Sequence, residues 1–312
     1  MITIPETDLV VHPLCLGSNI FGSNANESQS HAVLDAYCDH GGNFIDTADV
    51  YSQWVQGHVG GESETIIGSW MKTRANRTSM VIATKVSKLT QRRGLSAKNI
   101  LAACEESLNR LQTDYIDLYY SHEDDPEVTM EETLGAYGQL IAQGKVRYIA
   151  ASNFQPERLR LAIKISEENY LPAYCAVQDL YNLVDRTTYE TGMAQTIADL
   201  GISNIPFYGL ARGFLSGKYR PVITEVDSMR ASGAIEYATD KGFAVIAAMD
   251  AISQAHNGAP LAAIALGWLR AQPTVSVPIA SARTVEQLNE IIQIVELTSD
   301  EIQILNKISE KV

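Results

Sequence analysis

The stretch MVIATKVSKLTQRRGLSAKNILAACEESLNRLQTDYIDLYYS, residues 80–121, decides the fold. Residues 80–85 form a short β-branched apolar run, the pattern of a buried strand. Over residues 97–111, Ile100, Leu101, Cys104, Leu108 and Leu111 fall on one face at helical spacing. Residues 116–121 are again a strand. Strands that alternate with helices imply a parallel sheet. Working outward, the same alternation continues in both directions. Strands are expected at residues 14–18, 43–46, 147–152, 176–179, 203–208 and 275–279. Helices are expected at 28–39, 63–72, 129–143, 156–167, around 193–200, and at 285–295. A long loop with helical sequence runs from 209 to 270. Thr129 with Glu132, and Thr298 with Glu301, have the spacing of capping boxes, the second opening a final helix. Eight βα units suit an α/β fold with a closed (β/α)8 TIM barrel better than an open doubly wound sheet. Residues 1–13 precede the first unit and could form a short hairpin over the barrel floor. No linker or low-complexity segment interrupts the 312 residues, so one domain is expected.

Composition narrows the function classes. Apolar residues make up 46 % and charged residues 20 %, which argues against disorder. A net charge of −13 argues against a nucleic-acid backbone or an anionic membrane as partner. Cys15, Cys38, Cys104 and Cys175 are scattered and form no CxxC pair, as expected of thiols in a reducing compartment. No apolar run approaches the roughly 20 residues of a membrane span, and no signal peptide is visible. A cytoplasmic location is therefore expected.

A barrel carries its active site at the C-terminal ends of its strands. Those ends deliver Asp46, Lys85, Ser121-His122, Ser152-Asn153, Gln178-Asp179, Phe207-Tyr208 and the segment 280–283, with Tyr51 in the loop after strand two. Asp46, Tyr51, Lys85 and His122 suit acid–base chemistry. A free phenol, with a pKa of about 10, is a poor acid near neutrality, and a neighbouring ammonium is expected to lower it. A carboxylate would keep that ammonium charged, and a histidine could hydrogen-bond a carbonyl. Singly, each residue has a plain alternative. Asp46 could cap a loop, Lys85 could merely pair with it, Tyr51 and Trp54 could anchor a loop, and His122 could be structural. Glu123, Asp124 and Asp125 read as a solvated loop face. The inference rests on their coincidence at one mouth.

Other chemistries lack their signatures. No GxGxxG follows the first strand, GxSxG is absent, and the six histidines show no metal spacing. Residues 213–218 (GFLSGK) resemble a phosphate loop only superficially, because Arg212 stands where its first glycine is required. From Gly209 to Ser232, Arg212, Lys218, Arg220 and Arg230 outnumber Glu225 and Asp227, giving a basic segment fit for a pyrophosphate or simply a solvated loop.

These residues carry a resemblance to the aldo-keto reductase superfamily. DTADVY at 46–51, GESE at 61–64, ATK at 83–85, His122, GKVRYI at 144–149, SNF at 152–154, LARGFLSGKY at 210–219 and residues 278–288 resemble its motifs in order. The resemblance implies an NAD(P)H-dependent carbonyl reductase without a metal. By it, Tyr51 donates the proton, Lys85 and Asp46 tune it, and His122 orients the carbonyl. Ser152, Asn153 and Gln178 would hold the cofactor's carboxamide, and Phe207 would stack on its ring. Gly17, Ser18 and Asn19 would contribute from the first strand end, and Tyr208, Gly209, Leu210, Arg212, Gly213 and Lys218 from the loop after strand seven. Ser281, Arg283, Gln287 and Glu290 would grip the adenosine end, with Arg283 at the 2′-phosphate, so NADPH is expected and NADH remains possible. Phe21 and Trp54, with Tyr51, would wall a pocket for a small aldehyde, ketone or sugar. The sequence departs from the family at Phe207-Tyr208-Gly209-Leu210, often aromatic-Ser-Pro-Leu, and at Ile291, commonly an asparagine at the adenine. Two alternatives stand beside the reductase: a Schiff-base aldolase using Lys85, and a cofactor-sensing regulatory subunit.

Overall fold

The computed structural model describes residues 1–221 and 231–310. Eight parallel strands form one sheet, in the order β10(Ile279–Ala280), β3(Cys15–Gly17), β4(Phe44–Asp46), β5(Val81–Val86), β6(Ile116–Ser121), β7(Val146–Ser152), β8(Tyr174–Gln178), β9(Ser203–Asn204). The sheet curls until its edges meet. Asn204 N–H donates to Thr274 O at 2.7 Å, Ser276 N–H to Asn204 O at 3.0 Å, and Ile279 N–H to Pro206 O at 3.0 Å.

Helices α1(Glu27–Asp39), α2(Glu62–Arg74), α3(Ala97–Leu111), α4(Met130–Ala142), α5(Pro156–Asn169) and α6(Ala194–Leu200) alternate with the strands. Then come α7(Ala231–Ile235), α8(Asp240–Ala255), α9(Leu261–Arg270), α10(Val285–Ile291) and α11(Ser299–Ser309). The antiparallel pair β1(Ile2–Thr3) and β2(Val10–Val11) forms the hairpin, and its Ile4, Leu9 and Val11 join the inner core. Among the described residues no helix is long and apolar enough to cross a membrane.

Period-two alternation positions the site. On β5, Val81 and Ala83 belong to the inner cluster, while Ile82 and Val86 pack outward against helices. Lys85, two residues after Ala83, therefore points inward. On β4, Phe44 is inner and Ile45 outer, so Asp46 points inward as well. Because Asp46 pairs with Ala83 in register, their inward side chains meet at the C-terminal mouth.

The structure corrects several boundaries. Strand seven shrinks to Ser203–Asn204, and strand eight moves to Ile279–Ala280, sharing only Ile279 with the expected 275–279, because Pro206 and Pro278 interrupt the ladders. The helix expected to Val295 ends at Ile291. A π-helical turn, Tyr189–Met193, leads into α6. Thr298 and Glu301 form a full capping box. Thr129 caps α4, but Glu132 turns away to accept from Ala97 N–H at 2.9 Å, so that box is only half made.

Candidate active site

Lys85 is fully buried, and its ammonium donates three hydrogen bonds: to Asp46 Oδ1 at 2.6 Å, to Thr47 O at 2.8 Å and to Tyr51 Oη at 3.0 Å. Tyr51 Oη in turn donates to Asp46 Oδ1 at 3.3 Å. The second carboxylate oxygen accepts from Gln178 Nε2 at 2.8 Å. A buried ion pair is tolerable only when its remaining sites are hydrogen-bonded, and here they are.

The expected lowering of the Tyr51 phenol is not what this geometry produces. Burial pushes it well above its ordinary value, and the Asp46 carboxylate adds to that. The resting phenol keeps its proton, and Lys85 lies where it would stabilise a phenolate formed during reaction. His122 packs edge-on against Tyr51 with ring centroids 6.2 Å apart. Its Nδ1 is buried without a partner, and burial, Lys85 and Lys88 hold its pKa well below 6.5, so the imidazole is neutral.

The loop carrying Tyr51 is tied down from behind. Ser63 Oγ donates to Ser18 Oγ at 2.8 Å and accepts from Thr47 Oγ1 at 3.0 Å. Glu64, wholly buried, accepts from Thr84 Oγ1 at 2.5 Å and Arg110 Nε at 2.7 Å. Sequence reasoning missed the Glu64–Arg110 pair, whose only signal was a charged residue in the buried GESE segment.

A cleft of about 1070 Å³ opens over this cluster. That is at or above the roughly 300–1,000 Å³ of a drug-sized ligand pocket. Asp46, Tyr51, Trp54 and His122 line one part, with Lys85 just behind them. Gly17, Asn19, Ser152, Asn153, Gln178 and Phe207 line its middle. Tyr208, Gly209, Leu210, Arg212, Gly213 and Lys218 line one flank, and Ser281, Arg283, Gln287 and Glu290 the adjoining one. Asn153 Nδ2 donates to His122 O at 2.9 Å, and Ser152 Oγ to Gln178 O at 2.8 Å. Ser281 Oγ donates to Asn19 Oδ1 at 3.1 Å, and Arg283 N–H to Gln287 Oε1 at 2.9 Å. Gly17 permits the close approach of β3 to β10, since a Cβ there would lie 2.8 Å from Ser281 Oγ.

Besides Lys85, two expected residues do not line the cleft. Ser18 is buried, its hydroxyl spent on Asp46 O at 2.8 Å, so it supports the site from beneath. Phe21 is fully buried in the core, because the turn at 18–21 folds its ring under the loop that Ser52 fastens to Phe21 O at 2.7 Å. Trp54 stands exposed at the mouth. In the basic segment, Arg220 is engaged by Asp250 at 2.6 Å and is no anion clamp. Glu225, Asp227 and Arg230 lie outside the described residues.

The flank after β9 suits an anionic group. Tyr208, Ala211, Arg212 and Gly213 all have left-handed φ, at 53°, 47°, 55° and 96°. The turn spends the N–H groups of Ala211 and Gly213 on Tyr208 O at 2.7 Å and Leu210 O at 2.8 Å, so its free cation is the Arg212 side chain. Arg212 lies over the Tyr208 ring at 5.2 Å, and its Nε is buried without a partner. Among the described residues neither Arg212 nor Arg283 has an ion-pair partner.

The family model for the Aldo/keto reductase family matches residues 13–310. Protein tas of Escherichia coli (strain K12) is 30 % identical, covering 96 % of this chain and 93 % of its own. The uncharacterized oxidoreductase YrpG of Bacillus subtilis (strain 168) is 33 % identical, covering 97 % and 94 %. An L-glyceraldehyde 3-phosphate reductase of Escherichia coli (strain K12) is 30 % identical, covering 90 % and 82 %. The chain belongs to the Aldo/keto reductase family and is an NAD(P)H-dependent oxidoreductase.

Proposed function

We propose that this protein uses NADPH to reduce a small aldehyde or ketone to the alcohol, acting as a single barrel domain in the cytoplasm. The observation that carries the reading is the buried Asp46–Lys85–Tyr51 junction, opening onto a cleft beside a neutral His122. The nicotinamide, when bound, supplies the hydride. Every other task falls to side chains. Neutral His122 directs the substrate carbonyl toward Tyr51 Oη. Tyr51 gives up its proton as charge grows on the carbonyl oxygen, and the ammonium 3.0 Å away stabilises the phenolate left behind. Asp46, fixed by Gln178, holds that ammonium in place. The loop at 208–213 would hold the pyrophosphate, and Ser152, Asn153 and Phe207 would seat the ring. Arg283, with Ser281 and Gln287, would grip a 2′-phosphate, which favours NADPH.

The aldolase alternative is disfavoured by Lys85 itself. A buried Nζ donating to three oxygens has no free direction from which to attack a carbonyl. Free, scattered cysteines are compatible with a reducing compartment. The test is NADPH consumption over a panel of aldehydes, ketones and sugars. Carbonyl-dependent oxidation is expected; tight cofactor binding without turnover would favour the regulatory alternative.

A further inference from the structure

The cleft has two separate groups of cations. Arg212 and Lys218 follow β9, and Arg283 follows β10, strands that adjoin where the sheet closes. Lys88 and Arg93 follow β5, three strands from β10 in one direction and four from β9 in the other. They therefore stand across the mouth from the flank assigned above to the pyrophosphate and 2′-phosphate. A cofactor held there leaves this second group unused.

The neighbours of Lys88 and Arg93 place them on the substrate side. The same stretch of cleft is lined by Trp54, His122 and Glu123. Lys88 is half-buried, and its Nζ lies 3.8 Å from Glu123 Oε2, too far for a hydrogen bond. Burial lowers the Lys88 pKa; Glu123 opposes this, and the like charges of Lys85 and Arg93 add to the lowering. Arg93 is exposed and has no ion-pair partner among the described residues. Among the described residues Glu123 is the one carboxylate paired with the group; it is itself part-exposed and holds Lys88 weakly. In a chain of net charge −13, a weakly paired Lys88 and an Arg93 without an ion pair beside the proposed proton donor attract an anion.

We infer that Lys88 and Arg93 form an anion subsite, so that the substrate is an aldehyde or ketone carrying a phosphate or carboxylate group. The inference rests on the reductase reading and names the substrate class of that same site. The carbonyl end meets Tyr51 and His122 while the anionic end meets Lys88 and Arg93, displacing Glu123 from Lys88.

The test compares kcat/KM within matched pairs: glyceraldehyde 3-phosphate against glyceraldehyde, and 4-carboxybenzaldehyde against 4-methylbenzaldehyde. The first pair reads phosphate, the second carboxylate. Wild type should favour the anionic member of at least one pair, and the preference should shrink as salt is raised. Lys88→Gln and Arg93→Gln should each lower the anionic-to-neutral ratio about 10-fold, the loss of one charge-assisted contact. Arg93→Glu should lower it further. Reduction of the neutral members with no anion preference, or a ratio unmoved by all three substitutions, would overturn the inference while leaving the reductase intact. Failure to oxidise NADPH with any of the four would overturn both.

Discussion

Replacing Lys85 with methionine keeps the side chain unbranched, one atom shorter, and removes the charge. Asp46 would then be a buried carboxylate left with Gln178 Nε2 and Tyr51 Oη as donors. Breaking one side of a buried ion pair costs about 3–5 kcal/mol. At the entropy density of a 312-residue chain, that lowers Tm by roughly 5–8 °C. Adding Asp46→Asn removes the orphaned charge and should recover part of the loss. Circular-dichroism melts of Lys85→Met, Asp46→Asn and the double variant measure this directly. Reduction should be abolished in Lys85→Met, and borohydride should trap no substrate adduct on the wild-type protein. A single variant as stable as wild type, or a double variant no better than Lys85→Met, would show that the pair is not energetically coupled. A mass shift on Lys85 after trapping would replace the reductase mechanism with Schiff-base chemistry.

Two further outcomes follow from other residues. Arg283→Ala should weaken NADPH binding by roughly 10–150-fold and leave NADH nearly unchanged, read by fluorescence titration; equal losses would show that Arg283 does not grip the 2′-phosphate. Asp49 is buried, neither of its carboxylate oxygens meets a donor at good geometry, and burial with the Glu64 charge pushes its pKa to about 8. It keeps its proton in the folded state over a range where the unfolded state loses it, so wild-type stability should fall between about pH 4 and pH 8. Asp49→Asn should flatten that slope, gaining on wild type from pH 5 to pH 8; parallel stability curves would refute the buried, protonated carboxyl.

Much of this arrangement was legible in the sequence. Residues 97–111 and 116–121 match α3 and β6 to the residue, because long periodic segments with clear caps leave little choice. Asp46, Tyr51, Lys85 and His122 converge as expected because strand ends share a mouth. What escaped was set by contacts distant in sequence. Gln178 reaches Asp46 across 132 positions, and Arg110 reaches Glu64 across 46. Strand periodicity brings Ser18 and Phe21 to the mouth but cannot tell that the turn between them folds both side chains beneath it. The Tyr51 acidity was misjudged for the same reason: a neighbouring ammonium is visible in the spacing, whereas burial is a property of the packed barrel.

The central claim is that Tyr51 is the proton donor, and Tyr51→Phe tests it most directly. The variant removes one hydroxyl and keeps the ring that packs against His122 and Trp54. NADPH affinity should be retained while kcat for carbonyl reduction falls at least about 100-fold, the contribution of a positioned general acid. Near-normal turnover by Tyr51→Phe, with cofactor binding intact, would contradict the account.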